Sequence, residues 1–134
     1  VNIKNLLKIK ADILARPDLL FMSLWYLPSG GCGTAACLAG HAAAYQRSTE
    51  TDLERRLNCV ASVCLRVFPE GKRFLGLTTA QAERLFFMRE HHFFIDRRWP
   101  LEFDEAYHRA RSDKGRAKVA ARRIDHFIKT KGKE

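Results

Sequence analysis

From Leu19 to Gln46 the chain carries no Asp, Glu, Lys or Arg, and that run constrains the fold more than any other feature. Pro28-Ser29-Gly30-Gly31 breaks it in the middle, so neither apolar half approaches the ~20 residues of a membrane span. The run therefore reads as protein core. Its second half, Thr34 to Tyr45, is built largely from Ala35, Ala36, Ala39, Gly40, Ala42, Ala43 and Ala44. Side chains this small let neighbouring helices approach closely, which predicts a helix at the centre of a bundle.

The rest of the chain supplies partners for such a helix. Ile3, Leu6, Leu7, Ile13 and Leu14 recur at helical spacing among lysines, and Arg16-Pro17 ends that segment. Ser48-Thr49-Glu50-Thr51-Asp52 is a polar turn suited to a helix start, and the next helix turns Leu53, Leu57, Val60, Val63 (or Cys64) and Val67 inward before stopping at Pro69-Glu70-Gly71. Thr78 and Gln81 form a capping box ahead of Ala82, Leu85 and Phe86. Trp99-Pro100 opens a further helix, with Phe103, Ala106 and Tyr107 inward. Ser112-Asp113 caps a last helix over about 112–130, packed through Ala117, Ala120, Ile124, Phe127 and Ile128, with a frayed tail at 131–134. The expected fold is all-α: one domain over 1–134, a compact orthogonal bundle of five to six helices around the small-residue helix. At 134 residues the chain is long enough to bury a core without disulfides.

Four cysteines, at 32, 37, 59 and 64, and an N-terminus with no apolar signal core point to reduced thiols and a cytoplasmic setting. Cys32 sits in a Gly-flanked loop before the expected helix, where the helix dipole lowers a thiol pKa. That makes it a candidate nucleophile. GGCGTAACLAG has a superficial likeness to the Cys-Gly of papain-like and bacteriocin-processing peptidases, but no glutamine precedes it for an oxyanion hole. His41 lies nine residues further along, about 13 Å by helical rise, too far to act as its base. The alternative is a small residue packed at a crowded turn. Cys37 and His41, four apart, have the spacing of two metal ligands on one helix face; the reading preferred over metal is a buried thiol and a hydrogen-bonded core histidine.

The segment Cys32-Gly33-Thr34-Ala35-Ala36-Cys37-Leu38-Ala39-Gly40-His41-Ala42, preceded by Pro17, Phe21-Met22 and Trp25, resembles a family of small uncharacterised bacterial and phage proteins. Leu75-Gly76-Leu77-Thr78 through Leu85-Phe86, Trp99-Pro100 and the closing Ala121-x-x-Ile124-x-His126-Phe127-Ile128 resemble the same family. The resemblance implies a phage or mobile-element origin and carries no activity, and Cys59 and Cys64 stand outside its pattern.

Charge gives the remaining lead. The formal net charge is +9, and the stretch from Arg109 to Glu134 holds ten basic and three acidic residues, or +7 of that total. Arg111, Lys114, Lys118, Arg122 and Lys129 recur at helical steps opposite the apolar set. Arg97 and Arg98 stand beside His91, His92, Phe93, Phe94 and Trp99, a mixture able to stack bases and hold phosphates. The expected function is a non-enzymatic binding module contacting nucleic acid or an acidic protein, with no cofactor and no membrane partner. A thiol-dependent enzyme using Cys32 and a metal-stabilised structural protein using Cys37 and His41 are the alternatives.

Overall fold

A computed structural model describes residues 1–22, 27–29, 33–60, 66–88 and 99–133, with backbone alone at 27–29 and 33–35. Seven α-helices account for most of the described chain: α1 (Ile3–Ala15), α2 (Leu38–Arg47), α3 (Leu53–Asn58), α4 (Val67–Leu75), α5 (Thr79–Phe86), α6 (Leu101–Arg109) and α7 (Asp113–Thr130). A 3-10 turn at Pro17–Leu19 follows α1. A short antiparallel pair, β1 (Leu27–Ser29) and β2 (Gly33–Ala35), aligns Leu27 with Ala35 and Ser29 with Gly33. The architecture is an all-α bundle, with seven described helices where the sequence predicts five to six.

Two boundaries differ from expectation, each for a local reason. The central helix starts at Leu38 rather than Thr34, because residues 33–35 pair with β1. The N–H of Ala36 donates to the Leu19 carbonyl at 2.9 Å, and Phe21 returns a bond to the Ala36 carbonyl at 3.0 Å. Gly33 and Thr34 are poor helix formers, so this extended pairing takes them. Pro69-Glu70-Gly71, expected to stop a helix, lies instead within the first part of α4. Proline in a first turn removes an N–H that has no helical partner anyway. The actual breaks fall earlier, at Cys59 after α3, and later, at left-handed Gly76 (φ 60°) after α4.

The core forms where α2 and α4 cross. Every residue from Leu38 to Ala44 is buried. A Cβ added to Gly71 would stand 2.9 Å from the Ala39 carbonyl oxygen and 3.3 Å from the Ala42 Cβ, so the two backbones nearly touch. The small side chains therefore do what their size suggests. Around this crossing, α1 buries Leu6, Ile9 and Ile13, and α7 buries Ala117, Ala120, Ala121, Ile124 and Phe127.

The caps follow the sequence closely. Thr78 accepts from the Gln81 N–H at 3.2 Å while the Gln81 side chain accepts from the Thr78 N–H at 3.0 Å, completing the capping box. Asp52 caps α3 and Ser112 caps α7, each accepting from the N–H three residues on. Carbonyls at the end of α5 are also served. The Trp99 indole donates to Leu85 O at 2.7 Å, and the guanidinium of Arg123 donates to Arg84 O at 2.9 Å. Lys131 and Gly132, expected to begin a frayed tail, are held in place. Gln81 donates to the Lys131 carbonyl and Arg84 to that of Gly132, and left-handed Lys131 (φ 54°) closes the helix.

Candidate binding face

The basic row lies on α7. At about 100° per residue, Lys114, Lys118, Arg122 and Lys129 fall within an arc of about 80° and span about 22 Å of helix. All four are exposed, as is Arg111 just before the cap. The opposite arc carries Ala117, Ala120, Ile124 and Phe127 into the core. That division follows directly from the helical phase of the sequence.

Ion pairing separates this row from many other cations. Lys10, Arg16, Arg47, Arg56, Arg109 and Arg116 are bonded to Asp125, Asp18, Glu70, Asp12, Glu105 and Asp113 respectively. Among the described residues no carboxylate pairs with Arg111, Lys114, Lys118, Arg122 or Lys129. Asp125 shares the arc with them, and Lys10 of α1 holds it at 2.7 Å. Glu102 and Phe103 share an open cleft of about 430 Å³ with Arg122. A second cleft, about 260 Å³, is lined by Phe21, Tyr107, His108 and Arg116. Neither contains a cysteine.

Two arginines that add to the formal charge are not on this face. Arg123 is fully buried beside the rings of Phe103 and Phe127, at 5.8 and 5.6 Å. Arg56 is buried too, stacked 4.0 Å from the Tyr45 centroid and bonded to Asp12 and to the carbonyls of Glu50 and Thr51. For Arg123 a signal was available: it lies three residues after Ala120 and four before Phe127, on the apolar side of its helix. Helical phase, applied to charges as well as to aliphatics, places it inward.

The thiol and metal readings fare differently. Cys32, Cys64, His91, His92, Arg97 and Arg98 lie outside the described residues. Because α2 starts at Leu38, the residue at its N-cap is Cys37, which moves the helix-start argument away from Cys32. Cys37 does not gain reactivity there. Burial pushes its thiol up to about 11, outweighing the nearby N–H groups of Gly40 and Ala39. His41 is buried as well, its Nε2 donating to the Leu19 carbonyl at 3.1 Å. Desolvation lowers its pKa, against the opposing pull of that carbonyl, so the ring is held neutral. Among the described residues no group of three His, Cys, Asp or Glu side chains could hold a metal ion. Nor is any described helix long and apolar enough to cross a membrane.

Sequence reasoning missed one surface feature. On α1, Ile3, Leu7 and Leu14 are 49%, 48% and 43% exposed. They satisfy the amphipathic pattern yet fall within about 40° of one another, turned away from Leu6, Ile9 and Ile13. No protein-family model, curated protein or solved structure matches the chain.

Proposed function

We infer that this chain is a non-enzymatic binding module whose basic α7 face contacts a polyanion, either nucleic acid or an acidic protein. The observation that carries the reading is the exposed row Lys114, Lys118, Arg122 and Lys129, with Arg111 at its start, which has no carboxylate partner among the described residues. A solvated row of like charges on a rigid helix tracks an anionic surface and releases its counterions on contact. The reading fits a cytoplasmic protein of the phage or mobile-element origin implied by the family resemblance. No observation among the described residues favours a thiol enzyme or a metal-stabilised protein over it.

The test is binding as a function of salt. With four to five phosphates neutralised, log K against log salt for duplex DNA should fall with a slope of about −4. The variant combining Lys114→Glu, Lys118→Glu and Arg122→Glu should lose the interaction. A wild-type protein that binds neither duplex DNA nor an acidic polypeptide such as polyglutamate at low salt would overturn the reading.

A further inference from the structure

The α7 row does not stand alone on its surface. Lys10 of α1 reaches Asp125 of α7 at 2.7 Å, and this ion pair sets the outer faces of the two helices side by side. The helices run in opposite directions. The Asn2 N–H donates to Leu75 O beside the α4–α5 turn, and the end of α7 is held at that same turn by Gln81. Leu7 lies one turn before Lys10 and Leu14 one turn after it. Arg122 and Lys129 flank Asp125 in the same way. An exposed aliphatic row on one helix therefore runs beside an exposed cationic row on its neighbour, about one helix spacing apart. Exposed Lys4 and Lys8 bound the aliphatic row on its far side.

We propose that the paired outer faces of α1 and α7 are the docking site for an acidic amphipathic helix of a partner protein. Its apolar seam would seat on Ile3, Leu7 and Leu14, and its carboxylates would meet Lys118, Arg122 and Lys129. The inference rests on the polyanion reading and names the occupant. Charge complementarity and the width of the surface choose it. Phosphates make no use of three aliphatic side chains, so nucleic acid would leave that row unsatisfied. A second copy of this chain, docked face to face, would set Lys118 and Arg122 against their own like charges. A lipid surface meets a broad apolar face, whereas this one is a single seam between cations. A helix laid along the two rows, with anchors at i, i+4 and i+11 to meet Ile3, Leu7 and Leu14, matches both rows at once.

The experiment compares probes on the full 134-residue chain. The first is a synthetic helix of about 18 residues with Leu at heptad core positions and Glu elsewhere. The others are a scrambled peptide of the same composition, a short duplex DNA, and phosphatidylserine vesicles. The amphipathic helix should bind about tenfold or more tightly than the scrambled one. Leu7→Ser with Leu14→Ser should erase that advantage and leave the salt-dependent binding of DNA unchanged. Amide shift mapping on the wild type, which needs no variant to fold, should show changes on both 3–14 and 114–129. Equal binding of the two peptides, or shifts confined to 114–129, overturns the docked helix and leaves the polyanion reading standing. Stronger binding to DNA or to vesicles than to the amphipathic helix also overturns it, in favour of that occupant. Failure of every probe at low salt removes the polyanion reading itself.

Discussion

The α2–α4 crossing and the α1–α7 pair are both two helices in contact, yet they divide the protein's physical tasks between them. At the crossing, Ala39, Ala42 and Gly71 bring backbones nearly together, with the Arg47–Glu70 ion pair at the edge of the contact. On the α1–α7 pair the inner arcs cover the core while the outer arcs present aliphatics and cations to solvent. A close crossing stabilises by packing, and its tolerance for change is small because interiors are dense. An outer face contributes little to folding and is free to serve association. The two regions should therefore answer substitution in opposite ways.

The largest effect is expected at the crossing. Gly71→Val puts a Cβ 2.9 Å from the Ala39 carbonyl oxygen, and two further methyl carbons beyond it. Overpacking of this kind costs about 1–3 kcal/mol or more, so urea unfolding should shift markedly or the variant should fail to fold. Unchanged unfolding would mean that the helices slide apart freely, and the contrast between the regions would collapse. Ala39→Leu tests the same contact from the other side.

Next comes the buried histidine of the crossing helix. Folding lowers the His41 pKa, so the unfolded chain takes up its proton first as pH falls. Stability is fully present above the unfolded value of about 6.5 and is lost below it, by up to about 1.4 kcal/mol per pH unit. Unfolding measured between about pH 7.5 and about pH 5 should show this extra slope in the wild type and not in His41→Gln. Equal slopes would count against a neutral His41 held on the Leu19 carbonyl.

On the outer face the expected effects shrink. Lys10 and Asp125 are 27% and 51% exposed as side chains, the setting in which an ion pair is worth about 0.2–1 kcal/mol. A double-mutant cycle with Lys10→Ala and Asp125→Ala should return a coupling in that range, weakened by added salt. A coupling several times larger would make the α1–α7 bridge a structural element rather than a surface contact.

How much of this was legible in the sequence varies with the kind of signal. Caps were readable because they depend on residues three apart, as with Thr78 and Gln81, or Ser112 and Gly115. The small-residue core was readable because size alone dictates close approach. The start of α2 was not, since it depends on the long-range pairing of Ala36 with Leu19 and of β2 with β1. Pro69 was misread because proline marks both the end of one helix and the first turn of the next, and only tertiary packing decides. On the candidate site, the row on α7 followed from helical phase. The aliphatic row beside it did not, because periodicity identifies an apolar residue without saying whether a neighbour covers it. Leu6 and Leu7 are adjacent in sequence and lie about 100° apart on the helix, one buried and the other half exposed.

The smallest expected change in stability belongs to the substitutions with the largest expected change in binding. Reversing Lys114, Lys118 and Arg122 to Glu alters three exposed side chains opposite the buried arc of α7. These positions are spaced four apart, so the variant exchanges one set of i,i+4 like-charge contacts for another of similar size. Glu at 114 sits in the first turn, where the helix dipole favours a negative charge. Glu at 122 stands three residues before Asp125, where it is disfavoured by about as much. The contributions oppose one another, and the net change should lie within about 0.5 kcal/mol, read as a nearly unchanged unfolding midpoint. Polyanion binding by the same protein should disappear. A variant that unfolds would show that the row supports the fold, and the division between a packing region and an associating region would fail. A variant that keeps both its midpoint and its affinity would move the binding surface off α7.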